Sequence, residues 1–337
     1  MSTPPLPLAV TMGEPGGVGP EITRAAYHQL REDGPAFFVI ADPTVFADET
    51  CRVISHPREI EDAYSTALPV LDPDIGLDVT PGVANPANAR AVIASIEMAT
   101  ALVLDGAAAG VVTNPIQKAS LIADGFAYPG HTEFLEALTK DAPMPAGRTR
   151  GAVMMIAGPD LRTVPLTIHQ PVVTAAASIT TDMICEKAVI VIEALRADFG
   201  METPRLAISG LNPHAGEDGA MGTEDRDIIA PAVERLTRET GATVTGPLPA
   251  DTMFHAAARA KYDAALCMLH DQALIPAKTL AFDSAVNVTL GLPIVRTSPD
   301  HGTALDIAGK GLANPDSLIA AIRLAASMAQ TRKPPAQ

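Results

Sequence analysis

Cysteine is scarce in this chain, and basic side chains are outnumbered by acidic ones. Only Cys51, Cys185 and Cys267 occur in 337 residues, with no CxxC spacing and no even-numbered framework. That argues against a disulfide scaffold and for reduced thiols in a reducing compartment. Lys and Arg total 24 against 39 Asp and Glu, a net charge of −15, which argues against a nucleic-acid partner because long-range repulsion opposes one. Any small anion must therefore be held by locally placed Lys and Arg. Charge of both signs is low, at 19% of residues beside 47% apolar, where about 25% charged is usual; the chain has material for a large core and little sign of disorder. Proline-rich stretches fall only at the ends, residues 2–7 and 333–337, where fraying is expected. The first residues lack a basic region followed by an apolar one, and no run approaches the ~20 apolar residues of a membrane span. The expectation is a cytoplasmic protein, without repeats or low-complexity segments.

Short apolar runs alternate with helical patterns along the chain. Residues 6–12, 37–41 and 110–113 read as buried strands, and Val92, Ile96, Ala99 and Val103 mark a helix between the last two. Ile184, Ala188, Val191, Leu195 and Phe199 share a second helical face, with Gly200 as its stop. Residues 151–157 and 161–167, joined by Gly158-Pro159-Asp160, form a hairpin pattern, which predicts a mixed sheet. The alternation favours two α/β units over a barrel.

Four of the eight histidines follow an apolar strand pattern. Residues 161–167 lead to His169, 206–209 to His214, 264–269 to His270, and 110–113 open the segment that reaches His131. In open α/β sheets the carboxyl ends of strands are where sites assemble, and neutral imidazole is the commonest ligand of a transition metal. Repetition of one placement points to a site, although each histidine alone is more often a satisfied or solvated side chain. His28, His56 and His255 stand in ordinary helix or loop contexts. Cys267 lies three residues before His270, and on a strand that spacing sets the two on opposite faces, so Cys267 is not expected at the metal.

Two glycine-bearing loops stand out. Around His214 the chain reads NPHAGEDGAMG, which permits close approach of backbone to a ligand, and a helix pattern starts from Thr223. Near the N-terminus GEPGGVGPE follows a strand and precedes a helix, a position suited to an anion. It is neither a Walker A loop nor GxGxxG, since Ile22 stands where the third glycine belongs; a structural turn and a dinucleotide contact both remain open. Beyond His270, Lys278, Asn287 and Arg296 lie in an apolar stretch, suggesting either anion recognition or solvent-facing charges at strand ends.

Together the segments TMGEPGGVGPEI, TNPIQKASL, GFAYPGHTEFL, SGLNPHAGEDGAMGTED, GPLPADTMF and the stretch from Tyr262 to Pro315 are similar to the 4-hydroxythreonine-4-phosphate dehydrogenases of pyridoxal-phosphate biosynthesis. The resemblance implies two α/β/α domains with mixed sheets, like isocitrate and isopropylmalate dehydrogenases. It implies an active site in the interdomain cleft at a homodimer interface. A cofactor-side domain of residues 1–115 with 290–337 and a metal, substrate and dimerisation domain of 116–289 are expected. It further implies a divalent metal on His169, His214 and His270, with substrate on His131, Thr132, Lys278, Asn287 and Arg296. Asp251 and Asp271 would act as acid/base or supporting groups, and NAD or NADP would lie on residues 301–314, including His301, Gly302, Asp306 and Asn314. The dehydrogenases of like fold use aspartates for their metal, so the all-histidine set is a difference that admits zinc, as well as magnesium or cobalt. The implied reaction oxidises the 3-hydroxyl of 4-phosphooxy-L-threonine and releases carbon dioxide and 3-amino-2-oxopropyl phosphate. Rivals are a paralogue acting on 4-phospho-D-threonate, 4-phospho-D-erythronate or a dihydrodiol and, from another class, a phosphate acyltransferase.

Overall fold

The first apolar run forms a strand buried on both faces, β1 (Leu8–Thr11), as the inner strand of a parallel sheet requires. The structure, a computed structural model, describes residues 5–46 and 50–332; residues 2–4 and 333–337 of the proline-rich ends lie outside them. The chain divides into two compact units, Met1–Pro143 with Leu292–Gln330, and Met144–Gly291 with Thr331–Gln337. The first crossing falls at 143/144, not at the expected 115/116. The reason is packing: the helices Lys118–Ala123 and His131–Leu138 rest on the turn Pro86–Asn88 and the helix Ala89–Leu104 of the first unit.

The first unit continues with β2 (Phe37–Ile40), β3 (Cys51–Ile54), β4 (Leu68–Leu71) and β5 (Val111–Val112). The second unit holds β6 (Val153–Ala157), β7 (Arg162–Pro165), β8 (Arg205–Ser209), β9 (Thr243–Leu248), β10 (Ala264–Cys267) and β11 (Val286–Leu290). The chain then returns to the first unit with β12 (Arg296–Pro299). Strand order in the first unit is β3-β4-β2-β1-β5-β12, and every pairing is parallel. The expectation of mixed sheets in both units fails there, because its strands are joined by crossovers such as the helices Gly19–Leu30 and Ala89–Leu104. Strand order in the second unit is β11-β6-β7-β10-β8-β9. The expected hairpin is present as antiparallel β6 and β7; β7, β10, β8 and β9 run parallel, so this sheet is mixed.

The element Pro86–Leu104 is 19 residues long with a mean hydropathy of 1.4, apolar enough by composition to cross a membrane. Its helical part packs on β1, β2 and β5 and buries Val92, Ile96 and Ala99, so its apolar character serves the core. The helix Thr181–Ala197 is capped by the Thr180 side chain, which accepts from Met183 N–H. It ends before Gly200, whose φ of 71° reverses the chain. Cys267 lies in an apolar cluster with Leu161, Ala207 and Tyr262, and burial pushes its thiol well above the usual range.

One buried ion cluster stands out in the second unit. Arg148 donates from Nη1 and Nη2 to Asp198 Oδ1 and Oδ2, both at 2.9 Å. Arg332 donates from Nε to Oδ1 at 2.8 Å and from Nη2 to Oδ2 at 3.1 Å. The Asp198 side chain is 0% exposed. Burial alone would raise its carboxyl pKa, but the two guanidinium groups hold it below the ordinary value.

Candidate active site

Strands β7, β10 and β8 are consecutive neighbours and run in one direction, so their carboxyl ends share one edge about 4.8 Å apart strand to strand. His169 follows β7, His270 follows β10 and opens the helix His270–Ala281, and His214 follows β8. The placement read from sequence is thus repeated on three adjacent strands. The His169 and His270 rings lie 6.1 Å apart between centroids. The two rings are tilted by 44° to one another. Among the described residues no three His, Cys, Asp or Glu side chains already converge in a metal-holding group. Neutral nitrogen donors on adjoining loops suit a divalent transition metal.

The loops are tied together by polar contacts. Thr167 Oγ1 donates to Met268 O at 2.8 Å, joining the ends of β7 and β10. Met268 N–H donates to Ser209 Oγ at 3.1 Å. Gln272 accepts from Leu269 N–H at 3.0 Å through Oε1 and donates from Nε2 to Gly210 O at 3.1 Å, joining the ends of β10 and β8. Gln272 carries no charge and no metal chemistry, which is why sequence reasoning passed over it.

The His214 loop is unusual in its backbone. His214, Ala215, Gly216, Glu217 and Asp218 all have positive φ, between 42° and 80°, and His169 has φ 51°. For each L residue this conformation costs roughly 1–2 kcal/mol, and such strain persists only where surroundings over-determine it. Here buried Asp225 accepts from Leu211 N–H at 2.8 Å, Asn212 N–H at 3.1 Å and Asn212 Nδ2 at 2.9 Å. A Cβ on Gly216 would stand 2.8 Å from Gly222 O, so the turn admits only glycine there. His214 and His169 are exposed.

His270 Nδ1 lies 2.8 Å from Asp271 Oδ1. With the proton on Nδ1 donated to that carboxylate, Nε2 keeps the lone pair a metal needs. Asp271 and Asp251 line one groove of about 530 Å³ with Phe254, Gln272 and Ile275. Lys278 stands on the same helix as His270, eight residues or about 12 Å along it. Asn287 lies on β11 with Oδ1 buried and without a hydrogen-bond partner among the described residues.

The remaining expected residues belong to the first unit. Arg296 opens β12 and is 3% exposed, so it is no solvent-facing charge. Its Nη2 donates to Thr113 Oγ1 at 2.7 Å, and burial lowers its pKa to about 10. His131 and Thr132 start the helix His131–Leu138. His131 Nε2 is buried without a hydrogen-bond partner among the described residues. Burial, then the charges of Arg296 and Lys118, pushes its pKa well below the usual imidazole value, so it is neutral. Lys118 is a residue missed in the sequence; its only signal was its place in TNPIQKASL. His301, Gly302, Asp306 and Asn314 are all exposed, and His301 Nδ1 lies 2.9 Å from Gly302 O. His28 and His255 are exposed, and exposed His56 accepts from Arg58 N–H.

The neutrality of His131 has a pH consequence. The unfolded chain takes up a proton there below pH ~6.5 while the native imidazole does not, so stability declines as pH falls through that value. His131→Gln is expected to flatten the decline in urea midpoint between pH 7.5 and 5; an unchanged slope would show that His131 is not neutral in the native state.

A family model described as pyridoxal phosphate biosynthetic protein PdxA matches residues 34–325. A 4-hydroxythreonine-4-phosphate dehydrogenase of Caulobacter vibrioides is 52% identical over 330 residues, 97% of this chain and 98% of that one. The crystal structure of the Klebsiella pneumoniae 4-hydroxythreonine-4-phosphate dehydrogenase matches with a TM-score of 0.85 at 36% identity, covering 98% of this chain and all of the other. A terephthalate 1,2-cis-dihydrodiol dehydrogenase of Burkholderia xenovorans matches with a TM-score of 0.64 at 28% identity, covering 96% and 98%. Strand-end histidines, the glycine loops and these matches along nearly the whole chain agree: the chain belongs to the PdxA family of pyridoxal phosphate biosynthetic proteins.

Proposed function

We propose that this chain is a 4-hydroxythreonine-4-phosphate dehydrogenase, oxidising 4-phosphooxy-L-threonine at its 3-hydroxyl with decarboxylation to 3-amino-2-oxopropyl phosphate. The observation that carries the reading is the placement of His169, His270 and His214 at the carboxyl ends of three adjacent parallel strands, two of their rings 6.1 Å apart. These residues would hold a divalent ion, zinc, magnesium or cobalt, which when bound lowers the pKa of a hydroxyl and polarises a neighbouring carbonyl. NAD or NADP would accept the hydride, held by residues 301–314.

The chain's own groups then have distinct tasks. Asp271 orients the His270 ring. Asp251, on the same groove, is the candidate to take the hydroxyl proton. Arg296 and Lys278 hold anionic groups of the substrate, with Lys118 as a further cation beside His131. Neutral His131, with Thr132 and Asn287, supplies hydrogen bonds without adding charge. The first unit is the cofactor side and the second the metal and dimerisation side. A cytoplasmic homodimer completing the site across its interface belongs to the same reading. Exposed Ile275, Phe282, Val172 and Val173 in the second unit supply apolar surface for that contact.

NADH appearance should require both 4-phosphooxy-L-threonine and a divalent metal. Oxidation of 4-phospho-D-threonate, 4-phospho-D-erythronate or a cyclic dihydrodiol instead would transfer the reading to a paralogous dehydrogenase. Acyl transfer to phosphate without any change in NADH would refute both.

A further inference from the structure

The glycine-rich segment after β1, residues 13–21, takes no part in the chemistry described above, yet it is built against residues 301–314. Val18 N–H donates to Thr303 O at 3.0 Å. A Cβ on Gly17 would stand 2.8 Å from the same oxygen, so glycine permits the approach. Glu21, half-buried in the first turn of the helix Gly19–Leu30, reaches across with both carboxylate oxygens. Gly309 N–H donates to its Oε2 at 3.1 Å and Ala313 N–H to its Oε1 at 3.3 Å.

The segment thus gripped is irregular. Ala304, Gly309 and Gly311 have positive φ, and no helix or strand is formed between β12 and the helix Asp316–Thr331. Turn bonds inside it satisfy Ile307, Ala308 and Lys310 N–H, whereas Gly309 and Ala313 N–H take their acceptor from outside the segment. An ionised carboxylate is the strongest acceptor a side chain offers, and Glu21 spans donors four residues apart.

We propose that Glu21 is a positioning residue for the nicotinamide cofactor, acting through the loop and not by contact. Its carboxylate holds residues 309–313 in the binding shape, so that the ordering of the loop does not weaken cofactor binding. This rests on the assignment of residues 301–314 to the cofactor. It gives GEPGGVGPE a task that neither a phosphate loop nor a dinucleotide fingerprint describes.

The test is titration with NADH, followed by the cofactor's own fluorescence. Wild type, Glu21→Gln, Glu21→Ala and Asn314→Ala are compared, with metal content, thermal midpoint and trypsin cleavage after exposed Lys310 followed in parallel. Glu21→Ala should weaken NADH roughly tenfold and Glu21→Gln roughly threefold. KM for the cofactor should rise with kcat and metal content unchanged, and cleavage after Lys310 should accelerate. Unaltered NADH affinity in Glu21→Ala beside a weakened Asn314→Ala overturns the positioning role and leaves the loop assignment standing. No change in either variant overturns both. Parallel loss of metal, thermal midpoint and NADH affinity in both Glu21 variants marks general destabilisation and also overturns the proposal.

Discussion

His214→Ala is expected to lower metal-supported turnover by roughly three orders of magnitude and to leave the protein short of metal after gel filtration. Loss of Lewis-acid assistance removes several kcal/mol of transition-state stabilisation, and about 4 kcal/mol corresponds to ~10³ in rate. Alanine keeps the Cβ at φ 54°, so the strained turn should survive, held by Asp225 and Asn212. His214→Gly sharpens the test. It relieves left-handed strain of roughly 1 kcal/mol and should be at least as stable as the native chain while equally inactive. Full activity and metal content in either variant would remove His214 from the metal site.

Asp198→Ala is expected to destabilise the second unit by about 3–5 kcal/mol, the usual cost of removing one partner from a buried ion cluster. Two guanidinium groups lose their counter-charge at once, and Arg148 Nε already has no partner among the described residues. Arg148 is 4% exposed and Arg332 13%, so Arg332 can reach water and Arg148 cannot. A double-mutant cycle should therefore assign the larger coupling to Arg148. The sign with pH follows from the lowered carboxyl pKa: the stabilisation is present above the unfolded value near 3.9 and is lost as pH falls through the native one. Urea midpoints read both effects. A loss under 1 kcal/mol would mean that the cluster is solvated.

The strands that carry the site were legible because their apolar runs are short and end in histidine. Strands β3 and β4 were not: β4 carries Pro69, which argues against a strand interior, and β3 is half exposed. The helix Thr181–Ala197 followed its periodic face, though Phe199 lies beyond its end. Local signals gave His169, His214 and His270 their places, and the family resemblance joined them. Gln272, Lys118 and Glu21 stayed hidden because their roles come from partners such as Gly210, His131 and Gly309, distant in sequence or unremarkable in type. The Arg148–Asp198–Arg332 cluster joins residues up to 134 positions apart, a pairing that no single-sequence periodicity encodes.

The return of β12 to the first unit bears on how the chain emerges from the ribosome. When residue 291 has been made, all six strands of the second unit exist, but β5 still lacks its neighbour β12. The sheet begun first is thus the sheet finished last. Its unpaired β5 edge is exposed to mispairing throughout that interval, and truncations that end between Gly291 and β12 should aggregate through it.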